Sequence, residues 1–310
     1  MEVTVRNSGA KAACAGLVLL AFLFCNSLAP AAVPGDDKTN AIIINHSTAR
    51  LTGIPAEWIQ KAKETLHIAY GHTSHGSQLT EGMSGLAKWK GPLYAWKEGG
   101  AVGALDLRAY YGDFGRLGIA GDLGADTKGN LDRTAWEKAT RAYLPGHREV
   151  NVVIWAWCWQ ADALESEIKL YLDLMNQLEK DFPGVKFVYM TGRVNGGTLT
   201  GDAWPANLAK RNNQIRKFCA GNNKILYDFA DIESYDPDGT YFGDKLVNDA
   251  CEYDSNGDGV RDKNWAIEWQ NAHPGEWFNC SAAHSQPLNA NMKAYAAWWL
   301  WARLAGWDGK

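Results

Sequence analysis

A serine that could act as a nucleophile lies in a polar segment, residues 71–78, directly after a short apolar run. Ser74 stands between Gly71 and Gly76, and hydrolases expose a nucleophilic serine in such a tight turn at the end of a buried strand. The glycines permit a sharp turn and let backbone amides face a developing oxyanion. Because a serine hydroxyl alone is a poor nucleophile, a base must reach it from elsewhere in the fold. His284, in a loop before the last helical pattern, is the candidate base.

Two other interpretations of these residues stay open. A serine at the end of a strand is often only a turn residue. His72 and His75, three residues apart, could bind zinc together with His284 or an aspartate. The sequence shows no clear third and fourth ligand for that ion.

Short apolar runs that alternate with helical patterns must position these groups. The apolar runs cover residues 66–70, 150–157, 185–190 and 224–229, and the helical patterns cover 56–63, 163–178, 204–219 and 288–305. Strands that alternate with helices predict an α/β protein whose parallel sheet has helices on both faces. In such sheets the chemistry lies beyond the carboxyl ends of the strands, and polar residues follow each apolar run here. No linker clearly separates two domains, so residues 54–310 are predicted to form one domain with an irregular insertion at about 234–283.

Three segments and a late histidine resemble the conserved blocks of the SGNH (GDSL-type) hydrolases. Residues 71–76 resemble the first block of distant members, and residues 121–124 the glycine of the second. Residues 157–160 (Trp-Cys-Trp-Gln) stand where that superfamily places its asparagine block, and His284 precedes the last helix. The resemblance extends over about residues 64–306. It implies a three-layer α/β/α flavodoxin-like fold and ester hydrolysis, often the deacetylation of polysaccharides.

The resemblance also implies roles for individual residues. Ser74 would attack the ester carbonyl, and His284 would accept and return the proton. The amides of Ser74 and Gly121, with the side chain of Gln160, would bind the oxyanion. The aspartate that normally lies three residues before the catalytic histidine is Ser281 here, so the usual group that fixes the histidine tautomer is missing.

Asp231 or Glu233, at the end of the last predicted strand, could supply that third member instead. The 15 tryptophans are compatible with a Trp-rich core or with a surface on which sugar rings stack. Trp157 and Trp159 are the candidate stacking residues, and His75 and Asn195 are further candidates for substrate contact. A non-catalytic, calcium-stabilised carbohydrate-binding or surface protein on the same scaffold is the alternative function.

Residues 254–262 have the spacing of a calcium loop. Oxygen-bearing side chains occupy the first, third, fifth and ninth positions, a glycine occupies the sixth, and the seventh contributes a backbone carbonyl. The candidate ligands are Asp254, Asn256, Asp258, Val260 and Asp262. The twelfth position is Trp265 where a bidentate glutamate belongs, so Glu268 or Asp249 could complete the ligand set. The expected role of calcium is structural, and no organic cofactor is indicated.

The first 31 residues have the features of a secretory signal peptide. Arg6 and Lys11 precede an apolar run from Ala12 to Phe24, and small residues follow at 29–32. Residues 32–53 are a polar lead-in. We therefore expect a secreted or periplasmic protein, in which cysteines can pair. Cys251 and Cys280 are the expected disulfide, because they would close the polar insertion.

The charge balance excludes one class of partner. The chain has 31 basic and 35 acidic residues, a formal net charge of −4, so it lacks the basic surface that nucleic-acid binding needs. No second apolar stretch reaches membrane length, and no membrane association is expected after signal removal. The expected partner is a carbohydrate or another ester substrate, and the sequence leaves the oligomeric state open.

Overall fold

A seven-stranded, all-parallel β-sheet forms the centre of the chain in the computed structural model, which describes residues 40–112, 114, 117–158, 163–195 and 206–310. The strands of this sheet are β1 (Ile42–Ile44), β2 (His67–His72), β3 (Trp96–Lys97), β4 (Leu105–Tyr111), β5 (Val152–Trp155), β6 (Lys186–Met190) and β7 (Ile225–Tyr227). Their order across the sheet is β1-β7-β6-β5-β2-β4-β3. A separate antiparallel pair consists of β8 (Glu252–Tyr253) and β9 (Lys263–Asn264).

Helices connect the parallel strands in two groups. The helices are α1 (Ala56–Thr65), α2 (Ser74–Lys90), α3 (Ala135–Tyr143), α4 (Glu165–Asp181), α5 (Ala206–Gly221), α6 (Phe229–Ile232), α7 (Trp265–Ala272) and α8 (Pro287–Leu304). Helices α1 and α2 both pack on α8, whereas α4 packs on both α3 and α5. The predicted α/β class with a parallel sheet is confirmed, and the two groups of helices are consistent with three α/β/α layers.

The central strands are largely apolar because both faces of the sheet are covered, although β2 begins and ends with a histidine. All four residues of β5 are buried, and so are the residues from Ile68 to His72 in β2. Gly71 allows these two strands to accommodate a large ring. A Cβ atom at this position would lie 2.4 Å from the indole of Trp155, its partner across the sheet.

The sequence left open whether the tryptophans form a core or a surface on which sugar rings stack, and most of those described belong to the core. Of the tryptophans that the structure describes, five are completely buried, namely Trp136, Trp155, Trp265, Trp298 and Trp301. Helix α8 is buried on several sides, as its adjacent tryptophans predict. It approaches α2 so closely that a Cβ atom at Gly82 would lie 2.0 Å from the carbonyl oxygen of Ala290.

The strand order places a topological switch point between β2 and β5. After β2 the chain adds β3 and β4 on one side of that strand, and it then adds β5, β6 and β7 on the other. Ligands of doubly wound sheets bind outside the carboxyl ends of the strands at such a point. Ser74 follows β2 and Cys158 follows β5, so both lie at this edge of the sheet.

Three expectations need correction or lie beyond the described residues. The insertion at about 234–283 is not wholly irregular, because it contains β8, β9 and α7. The expected disulfide is not present, since Cys251 and Cys280 are both free thiols with Ser285 and Asn291 as their respective neighbours.

The predicted signal peptide, residues 1–31, lies outside the described residues. Among the described residues, no helix is both long enough and apolar enough to cross a bilayer.

Candidate active site

Ser74 and His284, separated by 210 positions in the chain, meet at the edge of the sheet. Ser74 is the first residue of α2, and its Oγ lies 2.8 Å from Nε2 of His284. At this distance the unprotonated nitrogen of a neutral imidazole accepts a hydrogen bond from the hydroxyl, which is the geometry of a nucleophile beside its general base. The structure therefore brings together the two residues on which the predicted chemistry depends.

A buried chain of polar side chains holds the loop that carries His284. The backbone of His284 is left-handed, with φ of 63°. The preceding carbonyl, that of Ala283, accepts a hydrogen bond of 2.5 Å from Nε2 of Gln78 in α2. The other end of that amide accepts a hydrogen bond of 2.5 Å from Nζ of Lys293 in α8. Helices α2 and α8 thus fix the position of the base.

A second set of reactive groups lies beside Ser74, in an arrangement that the sequence did not predict. His75, expected to contact substrate, is buried among these groups instead. The sulfur of Cys158 lies 3.4 Å from Ser74 Oγ and 3.0 Å from Nδ1 of His75. Nε2 of His75 donates to Oδ2 of Asp249 at 2.9 Å. Arg193 donates to the same carboxylate oxygen at 3.0 Å and to the carbonyl of Cys158 at 3.3 Å. A thiol, an imidazole and a carboxylate therefore form one continuous chain.

The pKa values of the two histidines of the site shift in opposite directions, although their rings stack on each other. Burial lowers the pKa of His75, but its hydrogen bonds to Asp249 and Cys158 outweigh that effect and raise the pKa above its usual value. Burial, followed by the positive charge of His75, lowers the pKa of His284. His284 is therefore kept neutral, as a general base must be, while His75 favours the protonated form.

The thiol of Cys158 is poised to ionise near neutrality. Burial alone would raise its pKa, but the hydrogen bond from His75 and the positive charge of that ring lower the pKa to about 7. Asp249 remains ionised beside them. Burial opposes its ionisation, while the hydrogen bond with His75 and the charge of Arg193 hold its pKa below the usual value.

An open cleft of about 550 Å³ lies in front of Ser74 and Cys158. Its walls include Thr73, Tyr111 and Asp122. Thr73 Oγ1 donates to Oδ2 of Asp122 at 3.0 Å, and burial raises the pKa of this carboxyl group. The cleft gives both Ser74 and Cys158 access to a ligand of moderate size.

One of the three expected oxyanion donors, the amide of Gly121, is engaged elsewhere, whereas the amide of Ser74 lies at the start of α2. The amide of Gly121 donates to the carbonyl of Ala125 at 2.8 Å, because both belong to a local turn, so it does not face a substrate. Gln160 lies outside the described residues. Ser74 begins α2, and the first amides of a helix have no acceptor within the helix and favour a nearby negative charge. The helix terminus is thus the source of donors beside the nucleophile.

The carboxylates expected to support His284 are used elsewhere. Asp231 accepts hydrogen bonds from the ring and the amide of His46, at 2.5 and 2.8 Å. Glu233 is completely buried and lies 3.6 Å from Nζ of Lys293. The carboxylate that does act on His284 is that of Asp249. It acts through its negative charge and not through a hydrogen bond.

The expected sugar-stacking residues do not form an aromatic surface. Trp157 is 3% exposed, and its Nε1 donates to the carbonyl of Met190 at 2.9 Å, so it belongs to the core. Trp159 lies outside the described residues. Asn195 is half-buried and forms a β-bridge with Asn248, the residue before Asp249. It thereby positions the carboxylate of the second set of groups.

The open zinc interpretation lacks a ligand set. Nδ1 of His72 donates to the carbonyl of Thr73 at 3.0 Å, and burial lowers the pKa of this buried ring to about 4. His75 uses both ring nitrogens on Cys158 and Asp249. Within the residues that the structure describes, no group of three or more His, Cys, Asp or Glu side chains is arranged to hold a metal ion.

The predicted calcium loop is a series of turns closed by its own side chains. The carboxylate of Asp254 accepts the amides of Asn256, Gly257 and Gly259, and both of these glycines have positive φ. Asp258 accepts the amide of Val260 at 2.8 Å.

The last candidate ligands of this loop point elsewhere. Asp262 directs both carboxylate oxygens at the amide and hydroxyl of Ser255, at 2.9 and 2.7 Å. Asp249 is held by His75 and Arg193, and Glu268 accepts the hydroxyl of Tyr253. In this conformation the carboxylates of Asp254 and Asp262 accept hydrogen bonds from within the turn, and the described part of the chain shows no metal-binding group there.

A scan of the sequence against models of protein families finds no match, and a search of curated proteins finds no significant match.

Proposed function

We propose that the protein is a secreted serine esterase of the SGNH type that hydrolyses acyl esters, acetyl esters above all, on carbohydrate. The single observation that carries the proposal is the 2.8 Å contact between Ser74 Oγ and His284 Nε2. Its place at the switch point of a parallel sheet, beside an open cleft, supports a site that acts on a ligand.

The reaction begins with the transfer of the Ser74 proton to His284. Ser74 Oγ attacks the ester carbonyl, and the amides at the start of α2 stabilise the oxyanion. His284 then donates the proton to the departing alcohol, which leaves the acyl group on Ser74. Water attacks this acyl-enzyme with His284 as its base. The bond between Ser74 Oγ and the acyl carbon then breaks, His284 returns the proton to Ser74, and the acid product leaves.

The missing aspartate before His284 is partly replaced by Asp249. Its carboxylate lies behind His75, which stacks on His284, and its negative charge favours the imidazolium that forms during the reaction. The left-handed backbone of His284 and the hydrogen bond from Gln78 to Ala283 fix the ring orientation that the aspartate normally sets.

The cleft supports a polar substrate with a small acyl group. Asp126 and Lys128 line its outer part and suit hydroxyl groups of a sugar. Tyr111 is 72% exposed and also lines the cleft, so its ring takes the stacking role that the sequence assigned to tryptophans.

Calcium is the proposed structural ion of this protein. Asp254, Asn256 and Asp258, with the carbonyl of Val260, would hold it in the turn that precedes β9. The ion would supply only stability there. We also infer export, on the N-terminal sequence alone.

A non-catalytic carbohydrate-binding protein is the second candidate function. The observation that favours it is that, among the described residues, no carboxylate accepts a hydrogen bond from His284. A binding protein would use the same cleft but would not react at Ser74.

Covalent labelling with a fluorophosphonate distinguishes these two functions. We expect a single label on Ser74, located by peptide mass analysis, and its loss in Ser74→Ala and in His284→Gln. Ser84→Ala is the matched control, because Ser84 lies in the same helix and bonds only to the carbonyl of Thr80. Removal of the nucleophile should lower the hydrolysis of an acetylated xylan by at least about 10³-fold. A protein that binds the glycan but takes no label at Ser74 would contradict the esterase proposal.

A further inference from the structure

Cys158, His75 and Asp249 form an assembly that acts on the serine mechanism only through the charges of His75 and Asp249, and no proton of that mechanism passes through it. The sulfur lies 3.0 Å from Nδ1 of His75, and the opposite nitrogen of the ring lies 2.9 Å from the carboxylate of Asp249. A nucleophile, an imidazole and an orienting carboxylate in this order define a catalytic triad. The two contacts also fix the proton positions. Nε2 of His75 donates to Asp249, so Nδ1 exchanges a proton with the thiol.

The assembly is held by several independent contacts. Arg193 binds the carboxylate of Asp249 and the carbonyl of Cys158, which ties the two ends of the triad together. The β-bridge between Asn195 and Asn248 fixes the backbone beside Asp249. Because these contacts come from the ends of β2, β5 and β6 and from the insertion, the geometry does not depend on any single loop.

The thiol is accessible to the same ligand as Ser74. Cys158 is only 8% exposed, yet it lines the cleft together with Ser74. Its sulfur and the oxygen of Ser74 are 3.4 Å apart. The carbonyl carbon of an ester bound next to one of these two atoms is therefore also close to the other. A substrate that fits the proposed esterase therefore meets two nucleophiles.

Charges around Cys158 distinguish it from the other described cysteines. The ring of His75 and the hydroxyl groups of Ser74 and Thr73 face its sulfur. Four charged or titratable groups lie one contact farther away, namely Asp249, Arg193, His284 and Asp122. Burial raises the pKa of Cys219, Cys251 and Cys280, whereas His75 brings the pKa of Cys158 to about 7. Cys158 is therefore the described thiol that is ionised to a large extent at neutral pH.

We propose that Cys158 is a second acyl-accepting nucleophile of this protein, with His75 as its general acid and base and Asp249 as the carboxylate that positions His75. The substrate class, an acyl ester, is taken from the proposed function, but the chemistry at Cys158 does not require Ser74.

The reaction at Cys158 balances without any further reagent. The thiolate attacks the ester carbonyl, a carbon–sulfur bond forms, and the bond to the alcohol oxygen breaks. The alcohol leaves with the proton of the His75 imidazolium. Water then attacks the thioester and gives a proton to His75, the carbon–sulfur bond breaks, and the thiolate–imidazolium pair and the free acid are released.

The first test uses p-nitrophenyl acetate on Ser74→Ala, with rapid acid quenching and mass analysis. We expect one acetyl group on the peptide that contains Cys158, and we expect neutral hydroxylamine to remove it, because that reagent cleaves thioesters and spares oxygen esters. Cys280→Ser in the same background is the matched control and should retain the acetyl group, whereas Cys158→Ala should lose it.

The second test measures the alkylation of Cys158 by iodoacetamide as a function of pH and needs no substitution at Cys158. The rate should rise with a midpoint near pH 7 in the unaltered protein. At neutral pH it should fall on the order of tenfold in His75→Gln, because the pKa of the thiol returns toward its usual value of about 8.5. Asp249→Asn should shift the midpoint upward as well.

The outcomes separate this inference from the esterase proposal. Two results would overturn the inference: no acetyl group on Cys158 in Ser74→Ala, or an alkylation midpoint at about pH 8.5 or above, the usual value for a thiol. The esterase proposal would then still be decided by fluorophosphonate labelling of Ser74. Acetyl on Cys158 without any fluorophosphonate label on Ser74 would support the inference and contradict the serine mechanism. Labels on both residues would support both proposals.

Discussion

The imidazole rings of His75 and His284 lie nearly parallel, with centroids 4.3 Å apart and an interplanar angle of 16°. Each ring serves a different nucleophile, since His284 contacts Ser74 and His75 contacts Cys158. Because two positive charges at this separation repel, protonation of one ring opposes protonation of the other. The stacked pair therefore couples the two candidate catalytic groups.

This coupling predicts the pH dependence of hydrolysis. Burial and the positive charge of His75 both lower the pKa of His284, so the base form persists below pH 6.5. The acid limb of kcat/KM should therefore lie below pH 6.5. In His75→Gln the repulsion is gone, the pKa of His284 rises, and the limb should move to higher pH. His147→Gln, which removes a ring stacked on Tyr143, is the control. An unmoved limb in His75→Gln would show that the charge of His75 does not act on the base.

Gln78 should act as a positioning residue for His284. Gln78→Leu removes the hydrogen bond to the carbonyl of Ala283 and loosens the loop that carries the base. We expect kcat to fall about 10- to 100-fold, because small misplacements of a catalytic group are costly, while KM changes little. Gln177→Leu, at an exposed site on α4, should leave both constants unchanged. Steady-state kinetics on p-nitrophenyl acetate provide the measurement, and a loss confined to KM would contradict the assignment.

The buried pair of Lys293 and Glu233 should contribute to stability only as a pair. Both side chains are completely inaccessible, and Lys293 also lies 4.0 Å from the centroid of the Phe229 ring. Lys293→Ala should lower the free energy of unfolding by about 3–5 kcal/mol, because it leaves both a buried carboxyl group and the side-chain oxygen of Gln78 without their partner.

A double-mutant cycle with Lys293→Met and Glu233→Gln checks the pairing. Chemical denaturation should give a coupling of about 0.5–3 kcal/mol. The exposed pair Lys169 and Asp173, altered to Met and Asn, is the matched control and should give about 0.3–0.5 kcal/mol. Equal coupling in the two cycles would mean that burial adds nothing to the interaction.

Calcium removal should lower the melting temperature. A ligand that binds only the folded state stabilises it by mass action, so a chelator should destabilise the protein and added calcium should reverse the effect. Asp254→Asn should abolish this response. Asp236→Asn, in another turn closed by an aspartate, is the control and should preserve it. A melting temperature insensitive to both chelator and calcium would refute the ion site.

The parts of this site that local sequence specifies were predictable, and those that depend on the strand order were not. Ser74 was found from its place between two glycines directly after the apolar run 66–70, and His284 from its place before the last helix, whereas the helix that Ser74 begins, α2, was not predicted. Cys158 was visible in the sequence, but its partner His75 lies 83 residues earlier, and only the pairing of β2 with β5 brings them together.

Asp249 and Trp157 show two further reasons for failure. Asp249 lies in an insertion without periodicity, so nothing in its neighbours marks it as the partner of His75. Trp157 follows β5 and was expected on the surface, but its ring turns toward Tyr171 in the core, where the carbonyl of Met190 satisfies its single donor. Side-chain direction after the last residue of a strand is set by tertiary packing, which sequence patterns do not encode.

The close approach of α2 and α8 at Gly82 has a mechanical consequence for the reaction. One helix begins with the nucleophile and the other follows the base, so their backbone contact makes them one rigid block. The opposite rim of the cleft, formed by parts of residues 111–129, belongs to neither helix. In the proposed esterase, a shift of that rim to admit a bulkier substrate would leave the separation between the Ser74 hydroxyl and the His284 imidazole unchanged.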